Sequence, residues 1–262
     1  MKILMVGDII GEPGRRTLAR LLPRLKAEHQ PALTVVNAEN AAAGFGVTPE
    51  IVHELQALGA DVLTSGNHIW DKKQVFDIID REPALLRPAN YPEGVPGRGW
   101  GIYTSSAGVK IGVMNLEGRV YMHHLRDPFT LGKEILRTIR QQTPVVVVDF
   151  HAEVTSEKRA LGWYFDGLAT AVIGTHTHIQ TADEEILPSG TAYLTDMGMT
   201  GSRDSVIGVN KEEVLHRFLY QMPHRFTPAV NNLWLNAVVI ECDPETGRAT
   251  SIQRLQVPLQ EK

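Results

Sequence analysis

A single cysteine, Cys242, stands in the 262 residues. One thiol has no internal disulfide partner and cannot build a thiolate metal cluster, so a reducing compartment fits and Cys242 reads as a small apolar packing residue. No stretch reaches the roughly 18 consecutive apolar residues that a membrane-spanning helix requires. The apolar run at residues 1–10 is interrupted by Asp8 and followed by no small-residue cleavage site, so it reads as a strand and not as a leader. The expected location is the cytoplasm, with no membrane partner. Basic excess is also missing. Lys and Arg total 26 against 30 Asp and Glu, a net charge of -4, which argues against long nucleic acid and leaves a small anionic ligand open. Neither a repeat period of 20 to 50 residues nor a linker-like tract interrupts the chain, so a single domain over 1–262 is expected.

The sequence does contain ample core, with 43% hydrophobic and 21% charged residues. Short β-branched apolar runs at 2–7, 32–37, 61–65, 145–150 and 170–174 alternate with polar stretches and helical periodicity, the pattern of βαβ units. Thr48-Pro49-Glu50 marks one helix start, and Asp71 with Gln74 has the spacing of a capping box at another. Alternating segments around Ser106-Ala107-Gly108, around Pro188-Ser189-Gly190 and around 243–247 predict antiparallel hairpins. The fold class is therefore α/β with mixed sheets flanked by helices. The Pro- and Gly-rich stretch 82–101 reads as a surface excursion or a small subdomain.

Potential metal ligands collect at the ends of these runs. Asp8 ends the first, Glu39 and Asn40 follow the second, Asn67 and His68 the third, His151 the fourth, and His176 with His178 the fifth. Parallel strands in one sheet present their carboxyl ends along one edge, where open α/β sheets bind ligands. Taken singly, Asp8 fits a turn or cap, Asn67 a left-handed turn, and His151 a hydrogen-bonded core histidine. Five such placements together point to one site. Carboxylate, amide and imidazole without thiolate suit Mn, Fe or Zn, and so many ligands call for two ions. Two divalent ions against Asp8, Glu39 and one hydroxide leave about one positive charge, which favours an anionic substrate. His29, His53, His123, His124, His216 and His224 lack this placement.

Gly7-Asp8, Gly66-Asn67-His68 and Gly174-Thr175-His176-Thr177-His178 resemble the motifs of calcineurin-like metallophosphoesterases. Gly7-Asp8-Ile9-Ile10-Gly11, Asn37-Ala38-Glu39-Asn40 and Asp149-Phe150-His151-Ala152-Glu153 resemble more closely the bacterial YmdB-type branch, over nearly the whole chain. Ile10 stands where the wider superfamily has the histidine of Asp-x-His, and Asn37-Ala38-Glu39-Asn40 replaces the usual Gly-Asp-x-x-Asp or Gly-Asp-x-x-Asn. The resemblance implies a layered metallophosphoesterase fold and a binuclear phosphodiesterase acting on cyclic nucleotides of the 2′,3′-cyclic AMP type. It also implies that Asp8, Glu39, Asn40 and His178 hold one ion and Glu39, Asn67, His151 and His176 the other. Glu39 bridges the pair; iron is implied, with manganese as a functional substitute and zinc possible on chemistry.

On that reading a metal-bridging hydroxide attacks phosphorus in line and His68 is the general acid, the alternative for His68 being another metal ligand or its support. Arg119 or Arg203, on polar segments at 118–124 and 200–205, is expected at the substrate phosphate. Asp196 is expected to orient a ligand histidine or else to cap a turn. Rival readings of the same centre are a phosphomonoesterase, a nuclease, or a metal-containing nucleotide sensor with little turnover. A homo-oligomer is expected from base rates alone.

Overall fold

The apolar runs are continuous and not alternating because each strand is covered on both faces. The computed structural model describes residues 1–105 and 107–260. In chain order the elements are β1 (Lys2–Val6), β2 (Asp8–Ile9), α1 (Gly11–His29), β3 (Leu33–Asn37), α2 (Pro49–Ala57) and β4 (Val62–Thr64), then a 3-10 turn at Lys73–Asp77. They continue with β5 (Trp100–Thr104), β6 (Lys110–Glu117), α3 (Pro128–Arg140), β7 (Val146–His151), α4 (Thr155–Tyr164) and β8 (Ala171–Thr175). The last are β9 (Glu185–Ile186), β10 (Ala192–Leu194), β11 (Met199–Ser202), α5 (Lys211–Tyr220), β12 (Leu233–Cys242) and β13 (Ala249–Pro258).

Two mixed sheets face each other. In one the order is β2-β11-β12-β1-β3-β4, with β13 on the other edge of β12; in the second it is β5-β6-β7-β8-β10-β9. Ile3, Met5, Val35 and Val62 meet Val113, Val147, Ile173 and Leu194 between the sheets. The alternate residues Leu4, Val6 and Val36 face outward onto Leu18, Leu22 and Leu25 of α1 and Val52 and Leu55 of α2. Met114, Val146 and Val148 pack outward on Leu136 and Ile139 of α3 and Leu161 of α4. Period-two alternation thus serves two cores at once, giving a helix-sheet-sheet-helix stack.

The strand ends that carry the site come from both sheets. β1, β3 and β4 run parallel in the first, β7 and β8 in the second, so the single sheet edge expected from sequence is replaced by the facing ends of two. All three hairpins form, as β5-β6, β9-β10 and β12-β13; Ser106 of the first turn lies outside the described residues. The stretch 82–101 is an excursion, with no subdomain core. Leu63 accepts from Leu86 and donates to Ala84, while Asn115 of β6 bonds Ala89 and Gly99, so this segment laces β4 to the second sheet.

Helix starts divide. Pro49 opens α2 after extended Thr48 as expected, although the Thr48 side chain makes no cap bond. The capping box at Asp71 does not form: the following element is the short 3-10 turn, without a side-chain cap, because the Asp71 carboxylate is taken by His68 at 2.9 Å.

Gly174 in β8 shows how closely this end of the stack is packed, since a Cβ there would lie 1.7 Å from the carbonyl oxygen of Thr195. Backbone cannot yield as a flexible side chain does. Gly174→Ala is therefore expected to cost at least about 3 kcal/mol, the upper end for overpacking, and to lower the melting temperature by about 6–12 °C. A calorimetric scan showing an unchanged transition would refute that packing argument.

Candidate metal centre

Each ligand-type side chain is delivered by a strand end. Asp8 opens β2 directly after β1, Glu39 and Asn40 lie just past β3, Asn67 and His68 just past β4, His151 closes β7, and His176 and His178 follow β8. Potential ligand atoms of Glu39, His151 and His176 lie within 4.8 Å of one another, as do those of Asp8, Glu39 and His178. Glu39 belongs to both groups. Asn67 joins the first, its Oδ1 2.9 Å from His151 Nε2. Gly66 is needed beneath them, since a Cβ there would meet His151 and Glu39 at 2.2–2.3 Å.

The hydrogen-bond pattern turns lone pairs inward. Thr175 has one hydroxyl proton and donates it to Asp149 Oδ1 at 2.7 Å, so its 3.0 Å contact with His151 Nδ1 requires that nitrogen to donate. His178 Nδ1 donates to the carbonyl of Ile207 at 2.8 Å. His176 Nε2 faces Glu153 Oε2 at 3.0 Å, leaving Nδ1 toward His151. Asn40 donates its amide to Gly44 O at 3.0 Å while its Oδ1 stays buried without a partner, as does Oδ1 of Asp8. Glu39 Oε1 lies within ion-pair distance of His151 Nε2, 3.1 Å, but outside hydrogen-bond geometry. Unsatisfied buried oxygens are costly, and inward lone pairs with outward N–H donors are the arrangement metal-ligating histidines adopt. The residues present fit a pair of divalent cations.

Electrostatics points the same way. Burial pushes the Asp8 carboxyl well above the usual range. Burial also acts to raise Glu39, but His151 outweighs it and holds Glu39 at about 2. Burial disfavours charge on His151, yet Glu39 beside it raises this imidazole to about 9. Burial and the His151 charge depress His176 to about 3, and burial lowers His178. Without a cation, one proton is thus held at His151 against Glu39.

Supporting residues hold the two sheets in register here. Asp149 accepts from Asn37 and Thr64 of the first sheet and from Thr175 of the second. His176 and His178 have φ of 95° and 65°, a strained backbone that persists only when its surroundings fix it. Asp196 supplies part of that: its Oδ2 accepts from both the N–H and the hydroxyl of Thr177, between the two histidines, and pairs with buried Lys158 at 2.7 Å. Asp196 touches the loop and no imidazole.

The cluster opens into a cavity of about 540 Å³, lined among others by Glu39, Asn40, His68, Glu153, His176 and His178. His68 lies at its edge with Nδ1 on Asp71 and its ring 5.0 Å from Phe45. Neither Arg119 nor Arg203 lines this cavity. The Arg119 backbone N–H is held by Glu157, and the Arg203 guanidinium stacks on Trp234 at 4.3 Å. Arg217 lines it instead, with nothing in its local sequence to distinguish it. Asp71 and Glu153, which the sequence marks only by a cap spacing and as the last residue of a motif, stand against His68 and His176.

The proton held at His151 must leave before that nitrogen can take a cation, so loading competes with protonation. Apparent Mn²⁺ affinity is expected to rise at least about tenfold from pH 6 to pH 7 and to flatten above about 9. The sign for the metal-free protein is opposite: the raised value contributes stability that is complete below the unfolded pKa of about 6.5 and lost as the pH rises through about 9. Calorimetric titrations at several pH values, with Mn²⁺-induced proton release followed in weak buffer, check this; pH-independent affinity would sink the ligand role of His151.

Comparison with known proteins places the chain in a family. The YmdB-like protein family matches residues 4–255. The chain is 49% identical over 257 residues to a Bacillus subtilis protein named 2′,3′-cyclic-nucleotide 2′-phosphodiesterase, covering 98% of this chain and 97% of that one. A crystal structure of a hypothetical protein from Thermus thermophilus superposes with a TM-score of 0.92 at 38% identity, covering 98% of this chain and 99% of the other. The calcineurin-like phosphoesterase YfkN from Bacillus subtilis superposes with a TM-score of 0.60 at 13% identity, covering 98% and 90%, a likeness of fold. Built on the calcineurin-like phosphoesterase fold, this chain belongs to the YmdB-like family.

Proposed function

We propose that this chain is a metal-dependent phosphodiesterase that hydrolyses small cyclic nucleotides of the 2′,3′-cyclic AMP type. The observation that carries this reading is the pair of ligand groups sharing Glu39 and opening into the cavity. The name of the Bacillus subtilis relative supports the substrate class. Asp8, Glu39, Asn40 and His178 would hold one ion and Glu39, Asn67, His151 and His176 the second, with iron the first choice and manganese a substitute. Bound there, two divalent ions supply Lewis acidity to phosphoryl oxygens and an activated water at neutral pH.

The chain's own contribution is positioning and proton transfer. Asp71 fixes the His68 ring through Nδ1, 2.9 Å away. Nε2 then carries the proton that the leaving ribose oxygen requires. His68 is 27% exposed, so solvent can restore that proton after each turnover. Arg217 is the one Lys or Arg among the described residues lining the cavity, which suits a small ester better than a polymer whose phosphates each need a cation.

Hydrolysis of 2′,3′-cyclic AMP by the Mn-loaded protein, with products separated by chromatography, tests this directly. His68→Ala is expected to lower kcat by about 10²–10⁴ with metal content kept. Asp71→Asn is expected to give a smaller loss of kcat, because the His68 ring loses the acceptor that orients it. No turnover with two ions bound would overturn the function, and full turnover by the His68 variant would overturn the general-acid assignment.

A further inference from the structure

The phosphate of a cyclic nucleotide accounts for only one end of the cavity. Three of the chain's seven phenylalanines, Phe45, Phe218 and Phe226, line it together with Ile207. Phe45, Ile207 and Phe218 are left 38%, 47% and 70% exposed, so their faces are open to the cavity. These walls are anchored. Asn40 of the ligand cluster donates to Gly44 O, holding the backbone beside Phe45, whose ring meets His68. On the other wall, both carboxylate oxygens of Glu213 in α5 accept from Thr227, at 2.7 Å each, and so fix Phe226 in the segment that follows the helix. Arg217 lies over the Phe226 ring, 5.4 Å from its centre.

We propose that this apolar part of the cavity is a nucleobase subsite, with Phe45, Phe218, Phe226 and Ile207 as its specificity-determining residues. The inference rests on the phosphodiesterase reading above and extends it from phosphate to base. Aromatic faces beside an anion-binding centre suit a flat, uncharged ring joined to a phosphoester. Stacking tolerates every base because each has a π-face, so all four 2′,3′-cyclic nucleotides are accepted, purines ahead of pyrimidines because the larger ring covers more of the wall. Arg217 adds donors for base acceptors at the rim.

Two measurements test the subsite. Equilibrium dialysis with adenosine, which has no phosphate, reads the base alone. The ratio of kcat/KM for 2′,3′-cyclic AMP to that for glycerol 1,2-cyclic phosphate reads the base during turnover. Phe218→Ala and Phe226→Ala are each expected to weaken adenosine binding about tenfold and to lower that ratio about tenfold. Leu219→Ala, a change on α5 outside the cavity, is expected to alter neither. Adenosine binding without hydrolysis of either ester would keep the subsite and overturn the phosphodiesterase. Hydrolysis of both esters with equal efficiency and no saturable adenosine binding would keep the phosphodiesterase and overturn the subsite. Equal losses on both esters in the phenylalanine variants would also overturn it.

Discussion

The contact between Glu39 and His151 is the constraint around which the rest of the site is arranged. Both side chains are almost wholly removed from water, and Nε2 and Oε1 are 3.1 Å apart. A carboxylate and an imidazole at that depth are tolerated only if each remaining polar atom has a partner, or if a cation takes the place of the shared proton. Asp8, fully buried on the same cluster, sharpens the demand, since burial and the neighbouring Glu39 charge disfavour its ionisation. The candidate metal site thus answers the cost of bringing these groups together in the dry space where two sheets end.

That cost explains how much of the chain serves to hold the cluster and not to belong to it. Asp149 gathers donors from three strands in two sheets and, through Thr175, sets which nitrogen of His151 carries hydrogen. Lys158, 1% exposed, directs its ammonium to Asp196 and to the carbonyl of Thr175. Asp196 in turn grips Thr177, so that two histidines with left-handed backbone stay aimed at the same place. A one-residue shift anywhere in β7 or β8 would turn His151 or Thr175 to the opposite face. Register in the second sheet is therefore also geometry at the ligand cluster.

The cavity has two characters for the same reason. Its polar end is built by strand termini, where the residue types suit ligation; its apolar end is built by α5 and the segment behind it, a helix that contributes only Val214 to the buried core. Glu213 and Thr227 fix the segment behind the helix, and Phe218 and Phe226 give this end of the cavity an apolar wall. The two ends are joined, since Asn40 holds Gly44 beside Phe45 and His178 donates to the carbonyl of Ile207.

Much of the fold was readable from strand-length apolar runs, because burial on both faces leaves a continuous pattern that does not depend on which sheet a strand joins. The same chemistry made Asp8, Glu39, Asn40, Asn67, His151, His176 and His178 visible together: ligand types after five successive runs are improbable unless the ends meet. What local pattern could not hold was pairing. The antiparallel β12, from the far end of the chain, inserts beside β1, and the five ends divide between two sheets; hydrogen-bond partners distant in sequence leave no mark on local periodicity. Asp71 has the spacing of a helix cap but meets His68 three residues back, a local alternative that the spacing alone does not rank. Arg119 and Arg203 stand out by their polar neighbours in sequence, whereas Arg217 reaches the cavity because α5 packs across it. Residue type and period are encoded locally, but which of two chemically suitable partners a side chain meets is decided by packing over long sequence separations.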